Sequence, residues 1–168
     1  MLPERVRSKG ALEPAQMREL PPSSGCFACG LDNPTGLQIR FLTDGKAAYG
    51  EYVPKGSDQG YAGVLHGGIL ATLLDEVMVK ALAIQGVAVV TGKIEMRFRH
   101  PAPIGKKLLI KGWVKTKRRN SFAAAGAITD QHGQVLAEAQ GLFFPIQKSP
   151  SSSMGDQSDS STHRSKTS

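Results

Sequence analysis

The run Gly63-Val64-Leu65-His66-Gly67-Gly68-Ile69-Leu70-Ala71-Thr72-Leu73-Leu74-Asp75-Glu76 gathers a histidine, a glycine pair and two carboxylates in one stretch. Where two glycines open a helix, the first-turn N–H groups have no intrahelical partner, no side chain shields them, and they stand at the positive end of the helix dipole. Such a terminus suits an anion, or the oxyanion that develops when a carbonyl is attacked. A blander reading stands beside it, in which Gly67 and Gly68 only permit close packing. Asp75 and Glu76 are adjacent, but a helix separates them, because surface neighbours lie three and four positions away. For Asp75 those neighbours are Ala71, Thr72, Met78 and Val79, so desolvation should raise its pKa. Glu76 has Lys80 four residues on, the favourable order for a surface ion pair. A carboxylate on an apolar helix face costs stability unless partnered, which makes Asp75 the candidate working group, with a satisfied structural carboxylate as the alternative. His66 could serve as a general base, since an imidazole titrates near neutrality, or it could cap the helix or fix the loop. No Gly-x-Ser-x-Gly elbow occurs, which argues against a Ser-His-Asp hydrolase.

Those residues need a scaffold, and hydrophobic periodicity supplies one. Residues 37–43 and 46–53 read as a hairpin across Asp44-Gly45, a pair that tolerates the positive φ of tight turns. A loop with Pro54, Gly56, Gly60 and Gly63 follows. Over residues 66–85, Ile69, Leu70, Leu73, Leu74, Val77, Met78, Ala81 and Leu82 recur at three and four, and Gly86 stops the helix. Strand patterns occupy 88–99, 107–117, 121–129 and 134–144. In the first of these, Ile94, Met96 and Phe98 alternate with Glu95, Arg97 and Arg99. Short turns favour antiparallel pairing, and so apolar a helix needs a sheet on most sides of it. The expected class is α+β: a curved antiparallel sheet wrapped around one long central helix.

The chain has 168 residues, enough for one domain with tails. Residues 1–24, rich in proline, are expected to be a flexible segment outside the core, with at most one short helix near 15–20. The domain is expected over 25–147. Residues 148–168 hold nine serines and no Val, Ile, Leu, Phe, Tyr or Trp, and are expected to be a disordered tail. The net charge is +7, which points to an anionic partner without naming it. Ten basic residues against one acid, Glu95, lie between Lys93 and Arg119. Nucleic acid would suit that charge, but Phe98 and Trp113 are the segment's only aromatics and neither sits in a stacking motif. Cys26 and Cys29 cannot build a disulfide framework. With no second Cys or His pair nearby they do not make a closed four-ligand zinc site, and they read as packing residues. With no signal peptide and no membrane-length apolar run, the expected compartment is the cytoplasm.

In order and spacing, the motifs of residues 26–145 resemble the hotdog-fold acyl-CoA thioesterases of the phenylacetate-degradation (PaaI) type. The helix start His66-Gly67-Gly68, followed by six residues and then Asp75-Glu76, carries most of the likeness. Thr91-Gly92-Lys93-Ile94-Glu95-Met96-Arg97-Phe98-Arg99 with Pro101 looks like the strand that follows the helix in these proteins. Cys29-Gly30, Asn33-Pro34 and Gly36-Leu37 are similar to the lead-in of one bacterial and mitochondrial subgroup.

The resemblance implies a hotdog fold and hydrolysis of an acyl-CoA to the free acid and CoA. Asp75 would be general base on a water, or nucleophile through an anhydride. Gly68 and Gly67 would offer N–H groups to the thioester oxygen, and His66 would orient the carbonyl or fix the loop. Thr91 would help hold the water, supplied from the other subunit of a homodimer or homotetramer whose active site lies at an interface. In some relatives an Asn or Gln before the His-Gly-Gly takes part, and Gln59 is the nearest such residue here. Lys115, Lys117, Arg118 and Arg119 could hold the phosphates of CoA, with a solvated strand face as the alternative for each. No metal or other cofactor, nucleic acid or membrane span is expected. An acyl-carrier-protein thioester is the rival substrate, and a non-catalytic acyl-CoA-binding module the rival function.

Overall fold

The computed structural model describes residues 17–146. In chain order the strands are β1 (Arg18–Leu20), β2 (Phe41–Thr43), β3 (Ala47–Tyr52), β4 (Gln59–Tyr61) and β5 (Val64–Leu65). After the helix α1 (Gly67–Ala83) come β6 (Val89–Phe98), β7 (Leu108–Lys117), β8 (Phe122–Thr129) and β9 (Val135–Pro145). Seven strands form one antiparallel sheet in the order β1-β2-β3-β7-β8-β9-β6, and β4 and β5 form a separate small hairpin. The expected α+β architecture is present, with α1 packed on strands from β3 across to β6.

A line of small residues decides how closely helix and sheet approach. Ala48, Gly112, Gly126 and Ala139 are successive partners across β3, β7, β8 and β9. A Cβ on Gly112 would lie 2.4 Å from the Val77 carbonyl oxygen, so the helix backbone rests directly on β7. Around this contact Leu70, Leu73, Leu74, Val77, Met78, Ala81 and Leu82 are buried, and Phe41, Leu108, Ile110, Ile128 and Phe143 meet them from the sheet. Burying an aliphatic or aromatic side chain of this kind stabilises the fold by about 1.5–3 kcal/mol. On β6, Ile94 and Met96 pack against the core while Glu95 and Arg97 are exposed, as the alternation predicts.

Two expectations near the N-terminus need correction. Arg18–Leu20 is a strand paired with β2, where a short helix was expected, and Leu20 belongs to the buried core. The domain therefore starts upstream of residue 25. The serine-rich segment 148–168 and residues 1–16 lie outside the described residues. The loop between β3 and α1 also contains more order than its glycines suggest, with a 3-10 turn at Gly56–Asp58 and the β4–β5 hairpin.

Candidate active site

His66 is the N-cap of α1. Its backbone is extended (φ −63°, ψ 133°), and its Nδ1 accepts the Gly68 N–H at 2.9 Å. With Nδ1 acting as acceptor, the neutral ring carries its proton on Nε2. The His66 N–H donates to the Asp58 carbonyl at 2.9 Å. Asp58 is buried, and its carboxylate accepts the Tyr52 hydroxyl at 2.5 Å and the Lys55 N–H at 2.6 Å. Burial alone would raise the Asp58 pKa, but the bonds from Tyr52, Lys55 and Ser57 outweigh it and hold the carboxyl low. A chain of ionised carboxylate, turn and cap thus fixes where the helix begins. Gly60 lets the hairpin lie against the imidazole, since a Cβ there would sit 3.1 Å from His66 Cδ2. Gly67 has no hydrogen-bond partner for its N–H among the described residues. The two glycine donors therefore differ, because the Gly68 N–H is taken by its own cap.

Asp75 sits two turns further along, half-buried, and accepts a hydrogen bond from the Thr91 hydroxyl at 2.7 Å. Burial raises its pKa and the neighbouring Glu76 charge adds to the rise, while the Thr91 bond opposes both. Thr91 is aimed by a bulge: the pairing of β6 with β9 slips between Thr91 and Lys93. Gly92 makes the bulge possible, because a Cβ on it would collide with the Phe144 ring. Expected from a second subunit, Thr91 instead reaches Asp75 of its own chain. The two halves of the site remain apart, since seven positions along a helix correspond to about 10 Å of axial rise. Beside the helix start lies a cavity of about 330 Å³ whose walls include Val64, Gly67, Leu70, Phe98 and Pro101.

Residues 62–137 match the family model of the thioesterase superfamily. That stretch, which holds the helix start, Asp75 and Thr91, is similar to the superfamily. A crystal structure of a thioesterase superfamily protein superposes with a TM-score of 0.68 at 28% identity, covering 72% of this chain and 60% of that one. The E. coli PaaI protein of the phenylacetic acid degradation operon superposes with a TM-score of 0.62 at 22% identity, covering 66% and 81%. The sheet wrapped on one long helix is the hotdog fold. In sequence, the chain is 30% identical over 95 residues to the acyl-coenzyme A thioesterase THEM4 of Bos taurus. That match takes in 56% of this chain and 39% of the relative, so the chain spans about two fifths of the length of the curated protein it matches.

Around the described domain the basic residues form no single cluster. Lys115 donates to the Gln140 side chain at 2.8 Å on the rim of a cavity of about 270 Å³ that Lys93, Glu95 and Leu142 also line. Lys117 lies over the Phe122 ring at 5.8 Å, and Arg118 and Arg119 are exposed in the β7–β8 turn. These residues are level with Thr91, because Lys117 pairs with Phe122, Phe122 with Phe143, and Phe143 with Thr91. They are thus at the end of the sheet away from their own helix start. Arg99 and Lys107 are committed to Glu138 and Glu51. Gln59 accepts the Gly63 N–H at 3.2 Å, which spends its carbonyl on the hairpin. The Glu76–Lys80 pair, expected at the surface, is largely buried, with side chains 15% and 7% exposed. Asp58 and Tyr52 escaped sequence reading altogether, because nothing in their spacing announces that a buried carboxylate supports the cap.

Proposed function

We propose that this protein is an acyl-CoA thioesterase that releases CoA and a free carboxylic acid, with Asp75 as the base. The Thr91–Asp75 contact carries the reading: Thr91 occupies Oδ1 and leaves Oδ2 to take a proton from water, in surroundings that raise the Asp75 pKa toward that of a working base. Asp75 removes the proton as the water oxygen attacks the thioester carbon. The oxyanion collapses, the C–S bond breaks, and the CoA thiolate leaves and is protonated.

The oxyanion needs donors closer than about 10 Å. We assign them to the His66-Gly67-Gly68 helix start of a second copy. Gly67 supplies a free N–H, and the Gly68 N–H joins it once the His66 ring turns aside. A homodimer or a larger homo-oligomer also accounts for the edge of β6, which has β9 as its one partner in the sheet. Alongside that edge Val90, Leu142, Phe144 and Ile146 are exposed, an apolar patch of the kind that marks an interface. We assign the CoA phosphates to Lys117, Arg118 and Arg119, a reading supported by their being level with Thr91, with Lys115 nearby.

The test is CoA release from a panel of short, long and aromatic acyl-CoAs by wild type, Asp75→Ala and Asp75→Asn. Turnover by the wild type and its loss in both variants is expected. Near-normal turnover by either variant overturns the mechanism, and faster turnover of carrier-protein thioesters than of acyl-CoA overturns the substrate assignment.

A further inference from the structure

On the side of α1 that carries Glu76, the lead-in loop brings Cys26 and Cys29 against the helix. The two sulfurs and a Glu76 carboxylate oxygen all lie within 4.8 Å of one another, and Cys26 Sγ is 3.7 Å from Oε2. Tetrahedral zinc with two thiolates and a carboxylate would require sulfur–sulfur and sulfur–oxygen separations of about 3.8 and 3.5 Å. From separations of at most 4.8 Å, the cluster needs to close by no more than about 1.3 Å to meet them. We infer that Cys26, Cys29 and Glu76 bind a thiophilic divalent cation, zinc by chemistry, which fastens the lead-in loop to the central helix.

Backbone N–H groups face both sulfurs. The Ala28 N–H points to Cys26 Sγ and the Ser23 N–H to Cys29 Sγ, each at 3.4 Å. Donors of this kind orient metal-bound sulfur and disperse its charge. The tight loop that supplies them requires Gly30, where a Cβ would lie 2.3 Å from the Ser24 carbonyl oxygen. Charge also balances. Two thiolates and Glu76 carry three negative charges, zinc supplies two positive ones, and buried Lys80, 3.6 Å from the other Glu76 oxygen and bonded to the Pro21 carbonyl at 2.8 Å, supplies the third. The thiol protons go to solvent as the metal–sulfur bonds form. Cys26 is only partly buried, so water can fill the fourth position. In sequence the pair reads as packing because its third ligand lies fifty residues away.

Cobalt substitution tests this on the full-length protein. Expected are one Co²⁺ per chain, a sulfur-to-cobalt charge-transfer band in the near ultraviolet, intense tetrahedral d–d bands, and displacement by zinc with loss of colour. Cys29→Ser should abolish the band. Should that variant fail to fold, Cys26→Ala and Glu76→Gln provide the comparison, each expected to weaken zinc binding at least tenfold. Zinc should raise the Tm of the wild type, and that of Cys26→Ala by less at the same zinc concentration. Cobalt binding without the charge-transfer band, two thiols that react freely with a disulfide reagent in the presence of zinc, or a Cys26–Cys29 disulfide in protein isolated without reductant would each overturn the proposal.

Discussion

A half-buried carboxylate in contact with one hydroxyl has a measurable cost as well as a use, and both follow from the direction of its pKa. Burial sets the Asp75 pKa above that of the unfolded chain. Its contribution to stability is complete below the unfolded-chain pKa and is lost as pH rises through the folded value. Asp75→Asn keeps an acceptor for Thr91 but cannot ionise, so it is expected to melt above the wild type at neutral pH. The two curves should converge below pH ~4, where the wild-type carboxyl is protonated in both states. Thermal melts of both proteins from pH 3 to 8 check this, and a wild type that is the more stable at pH 7 would contradict the burial-driven shift. For activity the same shift works the other way. A base must be ionised, so kcat/KM should rise with pH on an acidic limb displaced upward from the ordinary carboxylate value.

At the scale of elements, the start of α1 is capped by His66 and also carries the chemical role proposed for it, and substitution at His66 can separate the two. His66→Ala removes the acceptor of the Gly68 N–H and is expected to cost about 0.5–2 kcal/mol, the usual value of an N-cap. His66→Asn restores a capping oxygen without a ring N–H. If His66 only fixes the helix start, Asn recovers both stability and kcat; if its Nε2–H orients the thioester, Asn recovers the melting temperature and leaves the rate depressed. Urea unfolding and steady-state kinetics on the two variants distinguish these outcomes. The helix itself was legible in sequence because its eight apolar positions repeat on one period, and β6 to β9 were legible because turn residues separate them. The strand at Arg18–Leu20 was not, since three residues show no period and its pairing with β2 is set by tertiary structure. For the site, spacing brought out Asp75 and the glycine pair. The capture of the Gly68 N–H by its own cap, the bulge that turns Thr91 toward Asp75, and the burial of Glu76 beside the cysteines all depend on contacts between distant segments, which no local pattern encodes.

In the whole molecule, the separation along α1 is the deciding quantity: the proposed base and the proposed oxyanion donors of one chain are about 10 Å apart, so the proposed mechanism builds each complete site from two copies. Two inactive proteins can expose this. Asp75→Ala lacks the base. Gly67→Pro lacks the free N–H yet should fold, because Gly67 is the first helical residue, where proline is favoured, and the extended backbone of His66 suits a following proline. Each variant alone should be nearly inactive, with a melting temperature showing that it is folded. After subunit exchange in an equal mixture, a dimer of one chain of each kind has one site in which an intact Asp75 faces an intact Gly67. Random pairing should therefore restore about a quarter of wild-type activity, from half the dimers with one of two sites working. A mixture that exchanges subunits, as shown by mass spectrometry of differently tagged chains, and still gains no activity would place base and donors in one chain, and would require the helix start to reach Asp75 by a rearrangement within the subunit.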